Sequence, residues 1–470
     1  MSEKVVVRIP PSPTGFFHIG RARTALFNYL FAKHHGGEIV FRLEDTDKER
    51  SKKEYEQDII DSLSWLGITY DRGPFRQSER TEVYKEYIQK MLNNGTAYIS
   101  HETEGENREV VRFKNPNKIV AFTDGIRGEI SFDTTELGDF VIARNINEPL
   151  YHLTVVVDDH EMGVTHIIRG DDGISNTPRQ ILLQEAIGAK RPQYTHLPLI
   201  LGSDRSKMSA RHGATSLRDF KNAGYLPQSI VNYLALLGWN PGTEQEIFTM
   251  QELIEQFDLK KVQKGGAIFD PKKLDWVNKE HIKLLPAEEQ RMLMVKSIES
   301  EPYMTGEPEY AVEGLVWKND PKEATLKHLE KSLEIISNCS TSDVAQKLME
   351  YAEGVGRGSV LWPVRFALTG AKASPDPLVL LEIIGKEKSM QRINKAIELL
   401  KADLNDQSKN GGFIGMLILI LLALVALKYF FGWSIFAWMS SDKGRDAVAY
   451  LWTLLAGLKD LVVTLWNYIH

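Results

Sequence analysis

Residues 5–35 constrain the fold more tightly than any other stretch of the chain. Val5-Val6-Val7 reads as a buried strand, and Arg21–His35 carries Ala22, Ala25, Leu26, Tyr29, Leu30 and Ala32 at helical spacing. Between them runs a Pro- and Gly-rich turn from Arg8 to Gly20. A strand, a turn and a helix in that order belong to an α/β fold and put His18 and Gly20 at a helix N-terminus. The free N–H groups and the dipole there favour an anion such as a phosphate. Gly20 presents no side chain, so a ligand can approach the backbone closely. Much further on, Gly202–Arg211 is a Gly/Ser/Asp/Lys loop whose cations can close over the same anion.

Read together, His18-Ile19-Gly20-Arg21 and Lys207-Met208-Ser209-Ala210-Arg211 resemble the HIGH and KMSKS motifs of class I aminoacyl-tRNA synthetases. The resemblance is specifically to the glutamyl-tRNA synthetases. It extends through Phe41–Asp47, Tyr70–Pro74, Tyr151-His152-Leu153, Val156–Gly163, Ile168–Asp172 and Ala267–Pro271. It is clear over residues 4–285 and looser over 286–400. The fold class it implies is α/β: a Rossmann-type catalytic domain with a connective insertion, then an α-helical anticodon-binding domain.

Composition sets broad limits. A chain of 470 residues is too long for one core. A net charge of −6 is not that of a global nucleic-acid binder, but phosphate contacts need only a local basic face, as in Arg205–Lys221. The single cysteine, Cys339, excludes an internal disulfide and a thiolate zinc site, so no zinc is expected. No signal peptide is visible at Met-Ser-Glu-Lys, and the expected location is the cytoplasm.

The expected organisation follows the chain. Residues 1–80 form the first half of the catalytic domain, with an amphipathic helix over Asp58–Gly67. Residues 81–150 form a connective, acceptor-end insertion that looks shortened between Tyr98 and Val110. Residues 151–215 supply the second half, with strands at Val155–Val157 and Thr165–Ile168 and a helix at Thr177–Ile187. Residues 216–285 are a helical stem-contact region, 286–400 the anticodon-binding domain and 401–412 a polar linker. From 413 to 470 two apolar runs, Phe413–Met439 and Ala447–Ile469, are separated by the charged Ser440–Asp446. About twenty apolar residues suffice to span a bilayer, and aromatics cluster toward the end of the first run. The expectation is a helical hairpin that holds the protein to membrane lipid on the cytoplasmic face, the second run either spanning or lying in the interface.

The resemblance implies a charging reaction with ATP and Mg²⁺, L-glutamate and tRNA-Glu as partners, tRNA-Gln as a possible second acceptor, and a monomer. His18, Gly20, Arg21, Asp172, Lys207, Met208, Ser209 and Arg211 would bind ATP. Of these, His18, Gly20, Lys207, Ser209 and Arg211 would act on the phosphates, and Asp172 on the ribose. No protein side chain is assigned as a metal ligand, since Mg²⁺ would be held by the nucleotide and water. Arg8 and Arg169 would face the side-chain carboxylate of glutamate, because arginine pairs with carboxylates through parallel bonds. Glu44 would take the α-ammonium, with Ser12 and Tyr151 adding hydrogen bonds. Asp158 and Asp159 either serve the tRNA 3′ end or close a turn.

Three positions depart from the pattern. Ala210 stands where the family has a second lysine, and losing such a cation costs about 3 kcal/mol by analogy with lost oxyanion donors. Val155 replaces a polar residue and Gly173 a bulkier one. Ala210 keeps open a weak or silent membrane-tethered paralogue that binds tRNA. A tRNA base-modifying glutamyl transferase is a second rival, against which residues 286–400 argue.

Overall fold

A computed structural model of the protein describes residues 4–102, 109–209 and 215–431, together with 438, 441–443, 445, 446 and 449. The chain folds as two compact units, residues 1–290 and 291–470.

The first unit opens with β1 (Val6–Ile9), α1 (Ile19–His34), β2 (Glu38–Leu43), α2 (Lys53–Trp65), β3 (Arg72–Arg76) and α3 (Thr81–Asn93). Five strands follow, β4 (Ala97–His101), β5 (Glu109–Phe113), β6 (Ile119–Asp124), β7 (Gly128–Asp133) and β8 (Phe140–Ala143). Then come α4 (Tyr151–Glu161), β9 (His166–Gly170), α5 (Thr177–Ile187), β10 (Gln193–Leu197) and β11 (Ile200–Leu201). The unit closes with α6 (Leu217–Asn222), α7 (Pro227–Leu236), α8 (Met250–Gln256), β12 (Ala267–Ile268) and α9 (Pro271–Leu284).

β1, β2 and β3 pair in parallel, as do β9 and β10. The two sets meet where Thr165 N donates to Val6 O at 2.9 Å and Val6 N donates to Thr165 Oγ1 at 2.8 Å. The strand order is therefore 3-2-1-9-10, and it reverses between β1 and β9. Such a reversal leaves a crevice outside the carboxyl ends of the strands, the usual ligand site of an open α/β sheet. Arg8 and Arg169 lie near the ends of the two strands that flank it. α1 packs its apolar face, Ala22, Leu26 and Leu30 among it, into the core beneath. β4, β5 and β8 form an antiparallel sheet, and the β6–β7 hairpin joins the edge of β10.

Several expectations are corrected. Val155–Val157 is not a strand but part of α4, whose residues Leu153–Asp159 are all buried. Burial on every side overrides the β preference of a valine run. The β6–β7 hairpin has no counterpart in the sequence reading, although its first strand alternates exposed and buried residues.

The second unit contains α10 (Ala287–Glu299, beginning at the boundary), α11 (Pro302–Thr305), α12 (Val312–Leu315), α13 (Lys322–Asn338), α14 (Thr341–Val355), α15 (Arg357–Thr369), α16 (Pro377–Ile384) and α17 (Lys386–Phe431). Its core joins Leu329, Leu348, Val364, Leu380 and Ile397. The fully buried Arg392 donates to the carbonyls of Tyr303, Gly306 and Leu368. α17 runs unbroken through residues 401–412, where a linker is expected. Among the described residues no helix is long and apolar enough to cross a membrane. The second apolar run, apart from Ala449, lies outside the described residues.

The turn before α1 depends on α2, because Phe17 N donates to the Asp58 carboxylate at 2.7 Å. Asp58→Ala leaves that N–H without its acceptor and is expected to cost roughly 1–3 kcal/mol. Thermal unfolding reads this as a lower Tm; an unchanged Tm would show that the turn holds itself.

Candidate active site

The crevice is a cleft of about 800 Å³ lined by the β1–α1 turn, the end of β9 and the loop after β11. His18 is the N-cap of α1, and its Nδ1 accepts from Gly20 N at 3.0 Å. That bond places the imidazole proton on Nε2, which is left to donate to a ligand. Burial, then Arg21 and Lys207, hold the His18 pKa below its ordinary value, so the ring is a neutral donor at pH 7. Ile19 N donates to Thr215 O and Leu217 N to Phe17 O, both at 2.9 Å. The start of α1 is thereby knitted to the chain that follows the lysine loop.

In that loop Met208 is buried in the core and Lys207 is exposed. Lys207 Nζ lies 3.0 Å from the Asp172 carboxylate. The residues expected on phosphate and ribose thus pair with each other. An exposed pair of this kind is worth only about 0–1 kcal/mol, so a ligand can separate it. Ser209 lines the cleft. Ala210 and Arg211 lie outside the described residues.

The other end of the cleft is lined by Arg8, Ser12, Glu44, Tyr151 and Arg169, the set expected to face an amino acid, together with the neighbouring Val155. Behind it Arg42, fully buried, reaches three carboxylates: Glu44 Oε1 at 3.0 Å, Asp159 Oδ1 at 2.9 Å and Asp158 Oδ2 at 3.6 Å. Burial disfavours the guanidinium, but Asp159, Glu44 and Asp158 outweigh it and raise the Arg42 pKa. Arg8 Nε lies 3.6 Å from Asp159 Oδ1. Burial raises the Glu44 pKa against the pull of Arg42 and Arg8. Its Oε1 is occupied by Arg42, which leaves Oε2 for a cationic ligand group.

Asp158 is completely buried and accepts from Gln77, Tyr84 and Arg80 at 2.8–2.9 Å. Asp159 is almost as deeply buried, against Arg42 and Arg8. Neither is placed to meet a nucleic-acid end; both are counter-ions inside the core. Sequence reasoning missed their partners Arg42, Arg80 and Tyr84, although Arg42 sits within the Phe41–Asp47 motif.

Arg169 spends four of its five N–H groups on uncharged acceptors. They are His196 Nε2 (3.1 Å), Gln180 Oε1 (2.7 Å), Gly173 O (3.0 Å) and Thr177 Oγ1 (2.8 Å). No carboxylate of the described residues forms an ion pair with it. The site therefore holds a half-buried cation with no ion-pair partner among the described residues, which can accept a carboxylate.

Comparison with known proteins places the chain in a family. Residues 4–109 and 99–276 match the family of tRNA synthetases class I (E and Q), catalytic domain. Residues 269–397 match the family of the anticodon binding domain. The chain is 38% identical over 464 residues to the glutamate–tRNA ligase of Thermodesulfovibrio yellowstonii, a match covering 84% of this chain and 99% of that relative. It is also 38% identical, over 472 residues, to the glutamate–tRNA ligase of Aquifex aeolicus, with the same two coverages. Among solved structures, a glutamate tRNA ligase from Elizabethkingia meningosepticum in complex with its amino acid has 31% identity and a TM-score of 0.68. That match covers 85% of this chain and all of the other.

His152, beside Tyr151 on α4, has a buried Nδ1 with no hydrogen-bond partner among the described residues. Burial, with Arg179 and Arg169 adding to it, pushes its pKa down from 6.5 to about 4. A depressed folded-state value means that the unfolded chain takes up the proton first as pH falls through 6.5. The contribution is fully present above pH 6.5 and is lost toward pH 4. At most about 2 kcal/mol of stability disappears between pH 7 and pH 5 from this group. His152→Phe removes the titration, so denaturant midpoints at the two pH values are expected to lie closer together than in the parent protein.

Proposed function

The chain belongs to the glutamate–tRNA ligases of the class I tRNA synthetases, and from that premise we propose how its cleft performs the two half-reactions. L-Glutamate and ATP bind side by side at the reversal between β1 and β9. Arg8 and Arg169 face the side-chain carboxylate, Glu44 Oε2 takes the α-ammonium, and Ser12 and Tyr151 complete the contacts. The observation that carries this reading is the half-buried Arg169, a cation with no carboxylate partner among the described residues, in a cleft that also holds a buried acid with one oxygen open.

In the first step an oxygen of the α-carboxylate attacks the α-phosphorus of ATP, and the bond to the bridging oxygen of pyrophosphate breaks. Charge grows on the leaving phosphates, so the site needs fixed donors more than a nucleophile. His18 Nε2–H and the N-terminus of α1 supply such donors, Lys207 and Ser209 close from the loop, and Asp172 released from Lys207 receives the ribose. Arg211 belongs to the same loop and is expected to act with them. Mg²⁺ would neutralise phosphate charge; among the described residues Asp172 is the one acid lining the cleft near Lys207 and His18, so the donor set suits an ion held by the nucleotide and water. In the second step a hydroxyl at the tRNA 3′ end attacks the acyl carbon and AMP leaves. tRNA-Glu is the acceptor, and tRNA-Gln is a candidate second one. The relatives favour neither the silent paralogue nor the base-modifying rival.

The C-terminal segment is a separate reading. Ile418, Leu419, Ile420, Leu421 and Leu422 are consecutive and all exposed, so apolar surface faces every side of α17 there. A helix packed on a protein leaves only a stripe of apolar residues. We propose that residues 413–470 attach the protein to membrane lipid, by insertion into the interface or by spanning. Flotation with liposomes tests this: the full chain is expected to rise with lipid and a chain ending at Asn410 to stay at the bottom, and equal behaviour of the two would refute it.

Aminoacylation with tRNA-Glu and tRNA-Gln offered separately tests the catalytic reading. His18→Ala and Lys207→Ala are each expected to lower kcat by about 10²–10³, as loss of a transition-state donor does. No charging of either tRNA by the parent protein would overturn the reading and return the silent paralogue.

A further inference from the structure

Behind Arg169 lies a buried chain of polar groups that the reaction itself does not use. Asp124, at the end of β6, accepts four N–H groups. Its Oδ1 takes Ile126 N at 3.0 Å and Arg127 N at 2.9 Å; its Oδ2 takes His196 N at 3.0 Å and His196 Nδ1 at 2.7 Å. A carboxylate so placed has only acceptors to offer, so His196 carries its proton on Nδ1 and a lone pair on Nε2. That lone pair faces Arg169 Nε at 3.1 Å. The guanidinium can only donate, so the tautomer fixed by Asp124 is the one that Arg169 needs. Tyr194 backs the arrangement: His196 stacks on its ring at 6.2 Å with the planes 3° apart, and Arg169 Cζ lies 5.7 Å from the same ring.

Gly173 makes the room. A Cβ at this position would lie 2.5 Å from Arg169 Nε and 2.7 Å from its Cδ. Its backbone is not left-handed, so the glycine is needed for space and not for conformation. Its carbonyl is also one of the acceptors that clamp the guanidinium.

We propose that His196, fixed by Asp124 and given room by Gly173, is the positioning residue that holds the Arg169 guanidinium against the cleft wall for the side-chain carboxylate of the amino acid. The inference rests on the reading of Arg169 as a ligand of that carboxylate. The clamp leaves one N–H of Nη1 and the full charge for the substrate. A carboxylate then meets an arginine whose rotamer freedom is already spent, which is where preorganisation gains affinity.

The test is aminoacylation of tRNA-Glu by the full chain carrying Gly173→Ala, His196→Phe, His196→Gln or Arg169→Ala, with KM for glutamate and for ATP measured separately. The nearest atoms to a Gly173→Ala methyl all belong to the Arg169 side chain, so the substitution pushes directly on the guanidinium. His196→Phe keeps the stack on Tyr194 and removes the side-chain hydrogen bonds of His196 to Asp124, Arg169 and Thr177. Each is expected to raise KM for glutamate about tenfold or more, with a smaller change in kcat and in KM for ATP. His196→Gln, which can accept from Arg169 and donate to Asp124, is expected to recover most of the loss. A KM for glutamate within about twofold of the parent in both Gly173→Ala and His196→Phe, while Arg169→Ala raises it, overturns the positioning role and leaves the pocket standing. An equal rise in KM for ATP likewise overturns it, since that marks a general structural defect. If Arg169→Ala itself leaves KM for glutamate unchanged, the pocket reading fails and the inference fails with it.

Discussion

The first unit is organised around one buried guanidinium. Arg42 projects from β2 with no exposure to solvent and gathers Glu44, Asp158 and Asp159 about itself. Burying a lone charge is prohibitive, and even a buried pair repays its desolvation only when the geometry is good and the remaining donors and acceptors are satisfied. Here the cost is offset by a network that reaches four elements, although Arg42 Nε and Asp159 Oδ2 are buried without a hydrogen-bond partner among the described residues. Asp158 and Asp159 come from α4, Tyr84 from α3, Arg80 from the residue before it, and Arg8 from β1. The network therefore does more than neutralise charge. It fixes α4 against the sheet, and α4 carries Tyr151 into the cleft. It also fixes Glu44 by one oxygen while the other stays open. Removing Arg42 would leave three acids facing one another in the core, so the cleft wall cannot be separated from this cluster.

Much of the fold was legible because the signals were local. The turn from Arg8 to Gly20 declares a strand–turn–helix, and Thr177–Ile187 is a helix at the bounds its periodicity implies. Where the reading failed, tertiary contacts had overruled the local pattern. Val155–Val157 is β-branched yet helical, since α4 is enclosed on every side and needs apolar residues all round. Asp158 and Asp159 follow it in sequence and look like a polar turn; their burial becomes visible only once Arg42 and Arg80 arrive from elsewhere. The site shows the same division. His18, Glu44, Lys207 and Arg169 sit in recognisable motifs, and all four line the cleft. His196 and Asp124 lie on two strands 72 positions apart, paired only by the sheet, and neither has a sequence signal of its own. Gly173 stood out as a departure, but its meaning is the absence of an atom that Arg169 would strike.

On the proposed assignment, a count of charge accounts for an acidic amino acid in this cleft. The buried cluster contains the cations Arg8, Arg42 and Arg80 and the anions Glu44, Asp158 and Asp159, three against three. It is neutral as it stands. Arg169 lies outside that balance, surrounded by uncharged acceptors and the face of Tyr194. Burial accordingly depresses its pKa, with Tyr151 and other neighbours opposing the shift only in part. Glutamate brings two carboxylates and one ammonium, a net charge of −1. Its ammonium can share Glu44 and its side-chain carboxylate can answer Arg169, which completes the balance with one charge to spare for neither side. Glutamine would leave the Arg169 cation half-buried and unanswered. Discrimination of that kind is strong because it penalises the wrong ligand with an unpaired buried group, where a difference in shape alone would cost little.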